Sequence, residues 1–461
     1  MVKAQNFTGH TLPEPLSLIA LTSLLSMLVL FSAQQSAYGI GFISHHSPDK
    51  LPAHWQHKAA HSGLNHKTHH KYASKKHSSK HLAKSTPVPV KAVPVCPENL
   101  VANLQSKQIL PGVIYRKSNG ALRLNILDID TVKAPVVIKP IIAPQGSSRL
   151  KTVKEYTSAN NALAAINANY FKKTGVPLGT LIINGDWVAG PLYDRVALGI
   201  SKSGFVRIDR VGLGGTLYTS NKEIPQFWIN NINVPRRTGC RTVAYTRRWG
   251  SFVRLPYDGV LVSIDAQGRV MNTNKREMTI PYGGMVITGS ADSPLTALKA
   301  GDETHLRWQV TPNSWDDIGD AVSGGPMLIK DNSYCINLKA EAFHSNWTSN
   351  SIKARTACGV TANNHLILVT AEGTHTLYDL AHILHELGAV DAMNLDGGGS
   401  TTMVIHDTTM NMENKSNERK VAVALGIFVL AKENANPTPK QTSSKPTITA
   451  ERLLENLPVA N

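Results

Sequence analysis

The stretch that decides the reading is "THTLYDLAHILHELGAVDAMNLDGGGSTTMVIH", residues 374–406. Its first half has a helical period. Leu377, Leu380, Leu384 and Leu387 recur on one face. Thr376 and Asp379 stand three apart, as in a capping box, and Gly388 fits the position just past a helix end. A short apolar run, "DAMNLD", then reads as a strand, followed by three glycines and a second strand. The order helix, strand, glycine-rich turn, strand puts Asp396 at the carboxyl end of a strand, where α/β folds tend to hold ligands. A glycine triplet between a carboxylate and the hydroxyls of Ser400, Thr401 and Thr402 is a tight turn, or a place where backbone N–H groups approach an anion.

Outward from this segment the pattern is β-rich. "LRLNILDID" and "PVVIKPII" alternate and are rich in branched residues, as strands are. "TVKEYTSANNALAAIN" reads as a short helix feeding a strand. "LGTLIINGDWVAG" is a hairpin turning at Asn184-Gly185-Asp186, and a second hairpin turns between Asp265 and Gly268. The expected fold class is α+β: a mixed, β-sheet-rich single domain with a few packing helices, preceded by a disordered linker.

The domain is expected to span residues 96–432. Before it, residues 1–39 read as a signal peptide or N-terminal anchor. Lys3 is followed by the uncharged apolar run Leu16–Phe31, and Ala37-Tyr38-Gly39 suits small-residue cleavage. Residues 40–95 form a His/Lys/Ser-rich linker too poor in large apolar residues to offset chain entropy. Residues 433–461 read as a flexible tail. A large share of the formal net charge of +16 sits in the linker, between His45 and Lys91, where Asp49 is the only acid. It therefore suits an anionic wall or membrane surface better than a nucleic-acid groove, and no basic motif with interleaved aromatics points to nucleic acid. The protein is expected to be exported: periplasmic, extracellular or anchored outside the cytoplasmic membrane.

Five segments share small and polar residues at strand ends: "INANYF", "SGGPMLI", "ARTACGV", "TAEGTH" and "NLDGGGSTT". Together they suggest one polar pocket. Gly324-Gly325 and Gly397-Gly398-Gly399 could each turn amides toward phosphate oxygens. Arg355 offers a planar fork for phosphate. Asp396 and Glu372 are carboxylates able to serve as acid, base or nucleophile. Asn167, Asn169 and Asn394 can orient polar groups of a substrate, and Ser323, Ser400, Thr401 and His375 complete the candidate binding set. "HILHE" is not HExxH, "GLGGTLYTSNK" is not a Walker A loop, and no GxSxG elbow exists. No CxxC pair is present. The four cysteines are either free thiols or two disulfides, with Cys335–Cys358 the favoured pairing because both flank glycine-rich motifs.

"AMNLDGGGSTTMV" closely resembles the signature of the phosphodiester glycosidase domain family. "AINANYF", "INNINVPRR" with "VAYTRRWG", "SGGPMLIKDN", "ARTACGV" and "NERKVAVALGIFV" resemble further family segments, in the family's order. The resemblance runs from about Gln108 to Lys432. It implies hydrolysis of sugar 1-phosphate diesters in an envelope or extracellular glycan, with Arg355 and the Asp396–Thr401 loop on the phosphodiester, Asp396 the leading catalytic carboxylate, and Asn167 on the substrate. Glu372 and His375 carry less, because "AEGTHTL" departs from the family pattern. No cofactor is required by the sequence, and the need for a divalent metal is open. A non-catalytic glycan-binding module, or an envelope scaffold working through its linker, is the alternative.

Overall fold

The computed structural model describes residues 100–430, apart from 119–121, 146, 236–241, 256–257, 344–352 and 412–417. The expected signal or anchor, the linker, the tail, Cys96 and Cys240 lie outside the described residues. Among those described, no helix is long and apolar enough to cross a membrane.

The fold is mostly β, with two α-helices among the described residues, α1 (Val153–Ala159) and α2 (Leu377–Glu386). The principal sheet has eight strands in the order Leu104–Leu110, Val113–Ser118, Arg123–Asp130, His365–His375, Lys353–Thr361, Ala389–Asn394, Met327–Lys330 and Ser333–Tyr334. Its pairings are antiparallel throughout. Asp396 thus follows an antiparallel strand, so the ligand rule for open parallel sheets does not apply to it. The single described parallel pair, Asn231–Ile232 with Val243–Tyr245, lies in another sheet.

Both faces of the principal sheet are covered, and side-chain alternation sorts residues between them. Leu127, Ile129, Cys358, Leu366, Leu368 and Met393 enter the central core. Leu124, Ile126, Ala357, Ile367 and Val369 turn the other way, against Leu377, Leu380 and Leu384 of α2. The helix has the expected capping box, Thr376 with Asp379, and Gly388 follows with φ +87°. Burying three leucines on that face stabilises the pair by roughly 1.5–3 kcal/mol each.

Two five-stranded sheets close the central core. One runs Thr408–Thr409, Met403–Ile405, Ala164–Asn167, Val423–Val429 and Val136–Ile142. The other contains the hairpin Leu181–Ile183/Asp186–Ala189, with Ile318–Ser323, Val196–Ser201 and Val206–Arg210. This last sheet serves two cores by alternation. Leu181, Val196, Leu198 and Val322 face the central core, whereas Ile182, Ala197 and Ala321 face a second one. That second core belongs to further strands between Gly212 and Thr311, including the hairpin at Asp265–Gly268.

The expected Cys335–Cys358 disulfide is not formed; both thiols are free. Sheet order is the reason. Cys358 pairs with Met393, the Met393 strand pairs with Met327–Lys330, and Cys335 lies beyond it, its N–H on Leu328. Three strand spacings of ~4.8 Å separate the thiols by about 14 Å, well past the ~4.4–6.8 Å Cα range of a disulfide.

Candidate active site

The segment 395–402 is where the chain leaves the principal sheet and enters the sheet holding Met403–Ile405. Short bonds from both sheets stitch this crossover. Leu395 N–H donates to Thr356 O at 2.8 Å, and Asp396 N–H to Ala168 O at 3.1 Å. Asn167, wholly buried at the end of its strand, is the main strap. Its Nδ2 donates to Asp396 O at 2.5 Å, and its Oδ1 accepts from Thr356 Oγ1 at 2.9 Å and from Thr402 N–H at 3.0 Å. The amide oxygen and one N–H of the amide nitrogen are thereby engaged, so Asn167 positions the loop.

Asp396 is only partly buried, yet burial pushes its carboxyl up to about 6. The Ser400 side chain, the charges of Arg419 and Lys353, and the Gly397 N–H pull the other way. Desolvation is the largest of these influences and sets the direction. The loop continues into a single 3₁₀ turn, Gly398–Ser400. Its closing bonds are Ser400 N–H to Gly397 O and Thr401 N–H to Gly398 O. The Gly398 and Gly399 N–H groups stand at the head of that turn with no backbone acceptor among the described residues, as helix-start amides do. Gly398 has φ +64°, a left-handed conformation that suits glycine.

These amides open on a small cavity of ≈ 40 Å³, lined by Ala354, Glu372, Gly398, Gly399, Thr401, Thr402, Thr409, Asn411, Glu418 and Arg419. Glu372 thus lines the same cavity as the glycine loop. It is nearly buried, and its Oε1 accepts from Asn125 Nδ2 at 3.3 Å. Lys353 and Arg419 flank the same turn: a Cβ on Gly398 would lie 3.7 Å from the Lys353 side chain, and one on Gly399 3.6 Å from that of Arg419. Burial and the neighbouring Arg355 charge draw the Lys353 ammonium below its usual range, and Asp396 opposes them. Neither Lys353 nor Arg419 was singled out from the sequence. Lys353 was legible in principle, since it shares a strand face with Arg355 two residues on. Arg419 lies in the segment NERKVAVALGIFV, but nothing local marks it as a neighbour of the glycine turn.

Other expected residues fall elsewhere. Arg355 is fully enclosed, with Nε donating to His375 O at 2.9 Å. Burial lowers its guanidinium value and Tyr170 and Asp379 raise it. It supplies charge to the site's wall, not an open fork. His375 is buried, with Nε2 2.8 Å from Glu372 O, outside the cavity lining. Gly324 and Gly325 are not an anion nest: their N–H groups donate to Val196 O and Asn394 O. What they provide is close approach, since a Cβ on Gly324 would lie 2.2 Å from Asn394 O. Ser323 Oγ donates to Val196 O. Asn169 is spent on Thr180 O and Ser323 N–H. Asn394 Nδ2 donates to Tyr170 Oη at 2.7 Å and Gly325 O at 2.9 Å. These five residues spend those bonds on the scaffold that carries the loop. Among the described residues no three His, Cys, Asp or Glu side chains gather as a metal-ligand set.

Residues 258–428 match the family model of the phosphodiester glycosidases. The N-acetylglucosamine-1-phosphodiester α-N-acetylglucosaminidase of Mus musculus is 26% identical over 188 residues, 37% of this chain and 32% of its own length. The chain thus spans about a third of that relative. A hypothetical protein from Synechocystis has the same fold, with a TM-score of 0.65 at 23% identity over 71% of this chain and 64% of its own. A protein from Burkholderia pseudomallei superposes with a TM-score of 0.55 at 20% identity, over 69% of this chain and 75% of that one. At such identities the two solved structures speak for the fold alone. Residues 258–428, which hold Lys353, Asp396, the glycine turn and Arg419, carry the sequence pattern of the phosphodiester glycosidase family.

Proposed function

We propose that this chain hydrolyses sugar 1-phosphate diesters at the glycosidic C–O bond. The observation that carries the reading is Asp396: a carboxyl pushed up to about 6, at a turn with two open amides and flanked by Lys353 and Arg419. In this reading the phosphodiester lies against the Gly398 and Gly399 N–H groups, with Lys353 and Arg419 beside it and Arg355 adding charge from behind. Ionised Asp396 takes a proton from water. The water oxygen bonds to the anomeric carbon, the C1–O bond to phosphorus breaks, and its electron pair leaves with the phosphate monoester. The cations and amides stabilise the charge that gathers on that leaving group, where preorganised donors act most strongly.

The name of the mouse relative suggests an N-acetylhexosamine as the sugar. The apolar run Leu16–Phe31 supports export, and the basic linker supports contact with an anionic wall or membrane, so an envelope or extracellular glycan is the proposed setting.

The test uses the full chain and Asp396→Asn with α-N-acetylglucosamine 1-phosphodiesters in ¹⁸O-labelled water. Label in the sugar, lost in the variant, is expected. Label in the phosphate would reassign the chain as a phosphodiesterase. Saturable binding without turnover would make it a glycan-binding protein.

A further inference from the structure

Next to the Asp396 loop stands a cluster that the proposed reaction leaves unused. The Arg195 guanidinium carbon lies 4.1 Å from the ring centre of Phe343, 5.6 Å from that of Tyr193 and 5.8 Å from that of Tyr170. Arg195 Nε donates to Glu341 O at 3.3 Å. Glu341 is itself a buried anchor: its carboxylate accepts from Met327 N–H at 2.8 Å and Val196 N–H at 3.3 Å, and pairs with Arg210 at 3.5 Å. Tyr170 and Phe343 meet edge to face at 5.9 Å. The cluster is therefore fixed before any ligand arrives.

Its position relative to the reaction follows from the loop. Tyr170 Oη donates to Leu395 O at 3.3 Å and to Gly325 O at 2.9 Å. Along the loop, Tyr170 touches residue 395, the carboxylate is residue 396, and the cations flank 398 and 399. The Asp396 charge bears on Tyr170 on one side and on Lys353 on the other, so the carboxylate stands between the aromatic cluster and the cations. At the aromatic end Tyr193 and Asp194 both have positive φ, 57° and 51°. For a bulky residue this is a strained conformation, of the kind retained where function requires it. It leaves Tyr193 37% exposed beside Arg195.

We infer that Tyr193, Phe343 and Arg195 form the subsite for the sugar ring of a glycosyl phosphate. The inference rests on the proposed function, because the scissile bond then lies at Asp396 with phosphate on one side and sugar on the other. A pyranose offers an apolar C–H face, which suits an aromatic ring, and oxygen acceptors at its edge, which suit a guanidinium that can only donate. Rings on three sides of Arg195 exclude water and strengthen those bonds.

Binding by the full chain tests this, with α-N-acetylglucosamine 1-phosphate and inorganic phosphate as probes. The wild type is expected to prefer the sugar phosphate. Tyr193→Ala and Arg195→Lys are each expected to weaken it roughly tenfold, the size of one lost contact to a charged or stacked group, while phosphate affinity stays within about twofold. Tyr193 is a surface residue, so its variant keeps the test open if Arg195→Lys misfolds. Equal wild-type affinity for both probes, or parallel loss of both in the variants, would overturn the subsite. Label incorporation by the wild type judges the reaction separately: turnover with unaltered selectivity in the variants sinks the subsite alone, whereas selective loss of sugar binding without turnover upholds the subsite and sinks the hydrolase.

Discussion

At the scale of single residues, the energetics of Asp396 link stability to function. Its value rises from 3.8 to about 6 on folding. Below pH 3.8 the carboxyl is protonated folded or unfolded and contributes nothing. Between 3.8 and 6 the unfolded chain ionises first, so the native state is increasingly penalised. Above 6 the full cost is in force, roughly 2–3 kcal/mol for a shift of this size. Asp396→Asn should therefore unfold at higher denaturant than wild type at pH 7.5, with the gap closing near pH 4, while it loses turnover. Equal midpoints at pH 7.5 would show that the carboxyl is not destabilising. In the wild type, kcat/KM should climb through about pH 6 to a plateau, since the base form is the active one. A bell falling above 6 would assign Asp396 as an acid.

At the scale of elements, the crossover between sheets depends on Asn167. Truncating it to Ala leaves the Thr402 N–H and the Asp396 carbonyl without their partner in a buried place. The expected loss is about 3 kcal/mol, with turnover falling as the loop loosens. Urea denaturation would register it, and an unchanged midpoint would remove Asn167 as the strap. This is also the scale at which legibility divides. Features written within a few residues were readable: the Thr376/Asp379 box, the turn at Asn184-Gly185, the Asp265–Gly268 hairpin, and Asp396 ahead of its glycines. Features that depend on sheet order were not. Cys335 and Cys358 flank similar motifs, yet two strands lie between them. Gly324-Gly325 and Gly397-Gly398-Gly399 have one composition, but the first pair gives its amides to Val196 and Asn394 and only the second leaves amides open. Arg419 meets Gly399 because the Val423–Val429 strand returns beside Ala164–Asn167, and no local pattern encodes that return.

At the scale of the whole molecule, two kinds of positive charge have different reach. Lys353, Arg355 and Arg419 act at short range around the partly buried Asp396 loop, where screening is weak. The basic excess between His45 and Lys91 belongs to a segment outside the described residues, and the field of a charge in water fades over about 8 Å at physiological salt. A small phosphodiester should therefore not sense the linker, whereas an extended anionic surface engages many charges at once and gains their sum. Removing residues 1–95 should leave kcat/KM on a soluble sugar 1-phosphodiester within about twofold of the full chain, a difference under ~0.5 kcal/mol. The same truncation should abolish salt-sensitive binding to vesicles containing phosphatidylglycerol. A tenfold drop in turnover on the soluble diester would mean that the N-terminal region completes the site, and the Asp396 loop would no longer account for the activity by itself. Retained vesicle binding would instead move the anionic contact onto the folded domain, where the half-buried Arg247 lies 3.9 Å from the ring centre of the exposed Tyr282.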